Sequence, residues 1–139
     1  MQQSHTVKGL AIVRRHVNGS KILLVRTAPN SPWILPVTSE NETVEDLLTS
    51  IQSELMTFAS FSRCENIVRR VRTRDGTMEF ELIGAEAELR PYIESDRFVD
   101  ARWASFEEAR HAARADLEIV VQWARYQQHN LRVTETTAH

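Results

Sequence analysis

The sequence predicts an α+β domain in which a mixed sheet is covered by helices. Three observations predict it. Two hairpin signals, Asn18-Gly19 and Asp75-Gly76, each separate runs rich in β-branched or alternating apolar residues. A helical apolar stripe lies between the two hairpins. A late strand then runs directly into a helix-start signal. The chain has 139 residues, enough for one domain with a single core. We place that domain at residues 7–128, between polar tails at 1–6 and 129–139.

The first strand is Gly9 to Val17, carrying Leu10, Ile12, Val13 and Val17. The second is Lys21 to Thr27, carrying Ile22, Leu23, Leu24 and Val25. Asn and Gly both tolerate positive φ, so Asn18-Gly19 makes the turn. Ala28 to Asn41 holds Pro29, Pro32 and Pro36 and reads as a loop with one short extended piece, Trp33-Ile34-Leu35-Pro36.

Thr43 to Phe58 predicts an amphipathic helix. Val44, Leu47, Leu48, Ile51, Leu55 and Phe58 recur at helical spacing. Thr43 and Asp46 make a capping box, and Glu45 and Asp46 suit the helix dipole. Strands follow at Asn66 to Arg74 and Thr77 to Ala87. The second sets Met78, Phe80 and Leu82 on one face and Glu79 and Glu81 on the other. Phe98 to Ala104 is a further strand. Ser105 and Glu108 cap a helix to about Arg114, and Asp116 opens a last one with Leu117, Val120, Val121 and Ala124 inward. From Asn130 onward the chain is polar and is expected to fray.

Composition excludes more than it assigns. The chain is 42% hydrophobic and 26% charged, with a formal net charge of −2. That balance gives no general attraction to nucleic acid or acidic membrane. No apolar run suits a signal peptide or a membrane span, so the expected location is cytoplasmic. Cys64 is the only cysteine; it has no partner for an internal disulfide and no zinc-spaced neighbour, so an idle thiol is expected.

Two stretches carry a family resemblance. Trp33-Ile34-Leu35-Pro36, followed by Glu42 and the Thr43 helix, resembles the W-x-L-P lead into the Nudix (MutT-like) signature. Phe98 to Ala109, with Trp103 and Glu107-Glu108-Ala109, is similar to that family's late strand and acidic helix start. The resemblance covers roughly residues 7 to 125. It implies a Nudix-type α/β/α sandwich and magnesium-dependent hydrolysis of nucleoside-diphosphate derivatives. Magnesium takes hard oxygen ligands, which the family supplies as helix glutamates.

The family's box reads G-x5-E-x7-R-E-U-x-E-E-x-G-U. Anchored on Glu42, the Gly-Gly becomes Val37-Thr38, the Arg-Glu pair becomes Ser50-Ile51, the Glu-Glu pair becomes Glu54-Leu55, and the Gly becomes Thr57. Positions 51 and 55 are one helical turn apart and share a face. The resemblance implies metal-binding carboxylates there; Ile51 and Leu55 offer none.

The resemblance therefore leaves Glu54 and Glu42 as the candidate catalytic acids and Glu54 as the candidate metal ligand. Each also reads as an ordinary helix-surface or helix-entry residue. Glu79 and Glu81 are candidates for a further acid, or a solvated sheet face. Arg26, Arg70 and Arg72 are candidates for phosphate binding, since guanidinium matches phosphate geometry; Arg70, Arg72 and Arg74 also suit pairing with Glu79 and Glu81 across the hairpin. Trp33 suits base stacking or loop packing, while Trp103 and Trp123 read as core.

The expected function is a non-catalytic module for a nucleotide-like ligand or a protein partner. The alternative is an atypical hydrolase that uses magnesium; otherwise no cofactor is expected. An RNA-binding domain is a third option, favoured by the arginines and disfavoured by the net charge. No membrane partner is expected, and a homodimer is left open. Convergence of Glu54, Glu79 and Glu81 into one cleft would favour the hydrolase; a seal of Ile51 and Leu55 would favour the module.

Overall fold

The structure is a computed structural model, and it describes residues 7–15 and 19–136, without the side chains of residues 64–66 and 132–136. The elements are β1 (Val7–Arg14), β2 (Lys21–Arg26), α1 (Val44–Leu55), β3 (Met56–Thr73), β4 (Gly76–Leu89), β5 (Asp100–Ser105), α2 (Phe106–Ala112), a 3-10 turn at Ala115–Leu117 and α3 (Glu118–Thr136). The strands form one sheet in the order β3-β4-β1-β2-β5. β1 and β4 run parallel and the other neighbours antiparallel, so the sheet is mixed as the sequence predicts.

Strand alternation divides the core in two. Leu10, Ile12, Leu23, Val25 and Ile83 face α1 through Leu47, Leu48, Ile51 and Leu55. Ala11, Val13, Ile22, Leu24, Phe80 and Leu82 face α2 and α3 through Phe106, Ala109, Leu117, Val120, Val121 and Ala124. Helices thus cover both faces, the expected α/β/α sandwich.

β1 and β2 pair only near their turn, at Val13↔Ile22 and Arg14↔Lys21. Below that they part, and the extended piece 33–38 fills the gap. Leu10 N bonds Pro36 O at 2.9 Å, while Val25 and Ile34 exchange bonds of 2.8 and 2.9 Å. The Trp33-Pro36 stretch is therefore a wedge in the sheet.

Both capping boxes form, at Thr43/Asp46 and Ser105/Glu108. The turn falls one place earlier than expected, on Arg74-Asp75, and Gly76 opens β4 opposite Thr73 with a φ of 109°. Gly19 takes a φ of 115°; Val17 and Asn18 lie outside the described residues, as do the first six residues and the last three.

Several boundaries differ from expectation. α1 ends at Leu55, and Met56 opens β3 without a loop, so Phe58 leaves the helix stripe and stands 54% exposed. Met56 pairs with Leu89 on β4; this ladder overrides the helical spacing. β5 begins at Asp100 instead of Phe98, and α2 stops at Ala112 instead of Arg114. α3 continues to Thr136 where fraying was expected, because buried Leu131 seats its far end on the core beside Gly84. Trp103 and Trp123 pack partly buried against opposite halves of the core. No described helix is long and apolar enough to cross a membrane. The Cys64 side chain lies outside the described residues.

Candidate functional site

Thr43 starts α1 by accepting the Asp46 amide at 3.1 Å, while the Asp46 carboxylate accepts the Thr43 amide at 3.2 Å. This fixes the rotation of the helix and turns Ile51 and Leu55 onto the sheet, where both have 0% exposure. The face that the resemblance would line with carboxylates is core.

Glu42 precedes α1 and Glu54 lies in its last turn; both meet the same loop, residues 94–97, but different members of it. Arg97 holds Glu42 with two parallel bonds, Nη1 to Oε2 at 2.6 Å and Nη2 to Oε1 at 2.7 Å, and donates again to Val37 O at 2.7 Å. The Ser39 amide adds a bond to Glu42 at 2.8 Å. The Arg97 bonds hold the Glu42 carboxyl below its usual range. Glu54 accepts the Ser95 hydroxyl, and Ser95 Oγ in turn accepts the Arg97 and Phe98 amides at 3.0 Å each. Beside them lies a hollow of about 480 Å³ lined by Glu54, Glu94, Ser95, Asp96 and Arg97.

Glu79 and Glu81 project from the α1 face of β4, the face of Ile83, as alternation predicts. They do not join Glu54. Arg63 donates Nε and Nη2 to Glu81, both at 2.7 Å, and Nη1 to Glu45 on α1. Glu79 accepts Lys8 Nζ at 2.6 Å and Arg70 Nη2 at 3.1 Å. Those two bonds, Lys8 first, hold its carboxyl below the usual range. The expected cross-hairpin pairing is thus made by Arg70 alone: Arg72 stands opposite Thr77, and Glu81 takes Arg63 instead. Among the described residues, no three His, Cys, Asp or Glu side chains come together to hold a metal. Glu42, Glu54, Glu79 and Glu81 do not form a magnesium site, since each is already bonded to a cation or hydroxyl of the chain itself.

Arg26 and Trp33 lie on the opposite face, with Leu24. The Arg26 guanidinium stands over the Trp33 ring at 4.4 Å from its centroid, and that of Arg102 at 5.6 Å. β2 and β5 bring the two arginines together, and the wedge brings the ring: Arg114 N bonds Trp33 O at 2.9 Å. Arg102 also reaches Glu108 at 3.0 Å. Arg26 makes only a long 3.4 Å bond to Pro29 O, and its buried Nε has no partner among the described residues. The sequence candidates therefore separate: Arg26 and Trp33 sit on one face, and the glutamates with Arg70 and Arg72 on the other.

Sequence reasoning missed Arg63, Ser95, Arg97 and Arg102. Arg97 is 55 positions from Glu42 and carries no motif. Arg102 lies in the Phe98 to Ala104 strand read from the sequence, but only the observed register, which sets it opposite Leu24, brings it beside Arg26.

No protein-family model matches the chain, and no curated protein matches it. Solved structures do. An Ap4A hydrolase binary complex from C. elegans superposes with a TM-score of 0.65 at 16% identity, covering 91% of this chain and 98% of that one. The NUDIX domain of Shewanella oneidensis NrtR complexed with ADP ribose gives 0.61 at 14%, covering 92% and 90%. The MutT protein of Methanosarcina mazei Go1 gives 0.57 at 16%, covering 94% and 99%. At these identities the likeness is one of fold: the chain has the Nudix fold, shared with nucleotide hydrolases.

Proposed function

We propose that this protein is a Nudix-fold binding module for a nucleotide-like anion and does not perform magnesium-dependent hydrolysis. One observation carries it: the chain's own groups occupy Glu42, Glu54, Glu79 and Glu81, while Ile51 and Leu55 seal the helix face. Hydrolysis of a diphosphate requires charge neutralisation on its oxygens and an activated water, which clustered carboxylates achieve through metal. Here the acids are dispersed and already bonded within the chain. The Trp33 ring with Arg26 and Arg102 supplies what an anion needs without catalysis, two phosphate-matching guanidiniums held over an aromatic ring. That one fold neighbour is complexed with ADP ribose supports this class of ligand.

The test has two arms. Incubated with ADP-ribose or Ap4A and magnesium or manganese, the protein should show turnover equal to a no-enzyme control, a deficit of several orders of magnitude against an active hydrolase. ADP-ribose should nonetheless raise the thermal midpoint without metal, and Arg102→Ala should remove that rise. Hydrolysis by the parent that vanishes in Glu54→Gln would overturn the proposal; the hollow beside Glu54, with Glu94 and Asp96, would then be the centre of an atypical hydrolase.

A further inference from the structure

β3 is an edge strand of 18 residues, and among the described residues it pairs with β4 alone. A register shift between Arg63 and Val68 breaks it in two. Beyond the break, Val68 to Thr73 pairs without interruption against Glu81 to Gly76. One side of this six-residue run is satisfied by β4. Its other side has no strand partner among the described residues and is the template for an added strand.

The chemistry of this run is one-signed. Residues 67–74 read Ile-Val-Arg-Arg-Val-Arg-Thr-Arg, with no acid, in a chain whose net charge is −2. Arg69, Arg70 and Arg72 are exposed, and Val68 is 46% exposed beside them. Among the described side chains the nearest acids are already engaged: Glu79 by Lys8 and Arg70, Glu81 by Arg63, and Asp75 and Asp116 by Arg114. Arg69 and Arg72 have no ion-pair partner among the described residues.

We propose that Val68–Thr73 is a docking edge for an acidic, extended segment of a partner protein, which adds to the sheet as a strand beyond β3. Backbone bonds supply its hold; Arg69 projects with Val71 from one face of the sheet and Arg72 from the other, so carboxylates on both faces of the added strand supply its selectivity. A second copy of this chain does not fit. A dyad at Arg70 sets that residue against itself, and a dyad at Val71 sets Arg70 against Arg72; like charges directly opposite are repulsive. RNA fits less well, because single strands are held by aromatic stacking, and Phe80, the only aromatic residue of 67–81, is buried.

The probes are a labelled eight-residue peptide of valine and threonine with two glutamates three places apart, which an extended chain sets on opposite faces, a version with lysine for glutamate, a version of equal charge with two prolines, and a short poly-uridine RNA. Binding is read by fluorescence anisotropy, and protection of the β3 amides by hydrogen exchange. The acidic peptide should bind and protect residues 68–73. The lysine and proline versions should bind at least about tenfold more weakly, as should the acidic peptide to Arg69→Gln/Arg72→Gln, whose thermal midpoint should match the parent. Equal binding of the proline peptide would show charge without strand pairing and overturn the proposal. So would binding of the RNA alone, absence of all binding, or unchanged binding to the double variant. None of these outcomes bears on the Trp33 cluster.

Discussion

Arg97 and Glu42 meet through two parallel bonds of 2.6 and 2.7 Å, tying the loop before β5 to the entry of α1 across 55 positions of sequence. Both side chains are largely buried, at 22% and 13% exposure, so the pair is shielded from much of the solvent screening that weakens surface pairs.

This pair sets an acid-side dependence of stability. The Arg97 bonds hold the Glu42 carboxyl below its ordinary value of 4.5. A carboxyl depressed on folding adds stability that is fully present above its unfolded pKa and lost as pH falls through its lower folded value. Glu42→Gln should cost roughly 1–2 kcal/mol at neutral pH. The gap between parent and variant should narrow below about pH 4. Urea denaturation across that range measures both; a constant gap would mean that the charge of Glu42 contributes nothing.

Ile51→Glu should destabilise the fold by roughly 2–4 kcal/mol and restore no hydrolysis, because it buries a carboxylate without a partner. Chemical denaturation gives the number. A variant as stable as the parent would place position 51 against solvent and undo the account of a sealed helix face.

Magnesium at millimolar concentration should leave the thermal midpoint unchanged, since a ligand stabilises a fold only by binding it. The prediction comes from the carboxylates being already bonded within the chain. A clear rise with magnesium, absent in Glu54→Gln, would locate a site at the hollow beside Ser95.

Gly9→Ala should destabilise by about 1–3 kcal/mol through overpacking. A Cβ at Gly9 would lie 2.2 Å from Phe80 Cε1, inside the core. Phe80→Leu in the same chain should recover part of the loss in a double-mutant cycle. Strictly additive losses would show that the ring is not what excludes the methyl group.

The antiparallel pairing of β1 with β2 and of β3 with β4, both capping boxes and the phase of β4 were legible because each is written locally: two strand runs close in sequence, a Thr or Ser with an acid three places on, a period of two. The end of α1 was not. Phe58 follows Leu55 at helical spacing, yet Met56, Thr57 and Phe58 serve equally as a strand once the length of β4 is there to pair with them, and only tertiary structure decides. The far half of α3 was illegible for the same reason, since Leu131, in a polar stretch, is buried against the core beside Gly84. At the candidate site the apolar Ile51–Leu55 face could be read directly. What happened to the remaining acids could not, because each partner reaches them by topology alone, from another element or a distant loop.

The wedge of Trp33 to Pro36 has a consequence in time. The β1–β2 turn closes through neighbours, and such hairpins form in about 1–10 μs. The outer half of β1 waits for distant chain: Lys8 bonds Thr38, 30 positions on, and Glu79, 71 positions on. Contacts at such separation must close large loops first, which slows folding. In pulse-labelled refolding, the amides of Val13 and Ile22 should therefore gain protection before those of Leu10 and Thr38. The strand at the middle of the finished sheet would be secured from one end, its turn settling early and its first residues locking only when the wedge arrives.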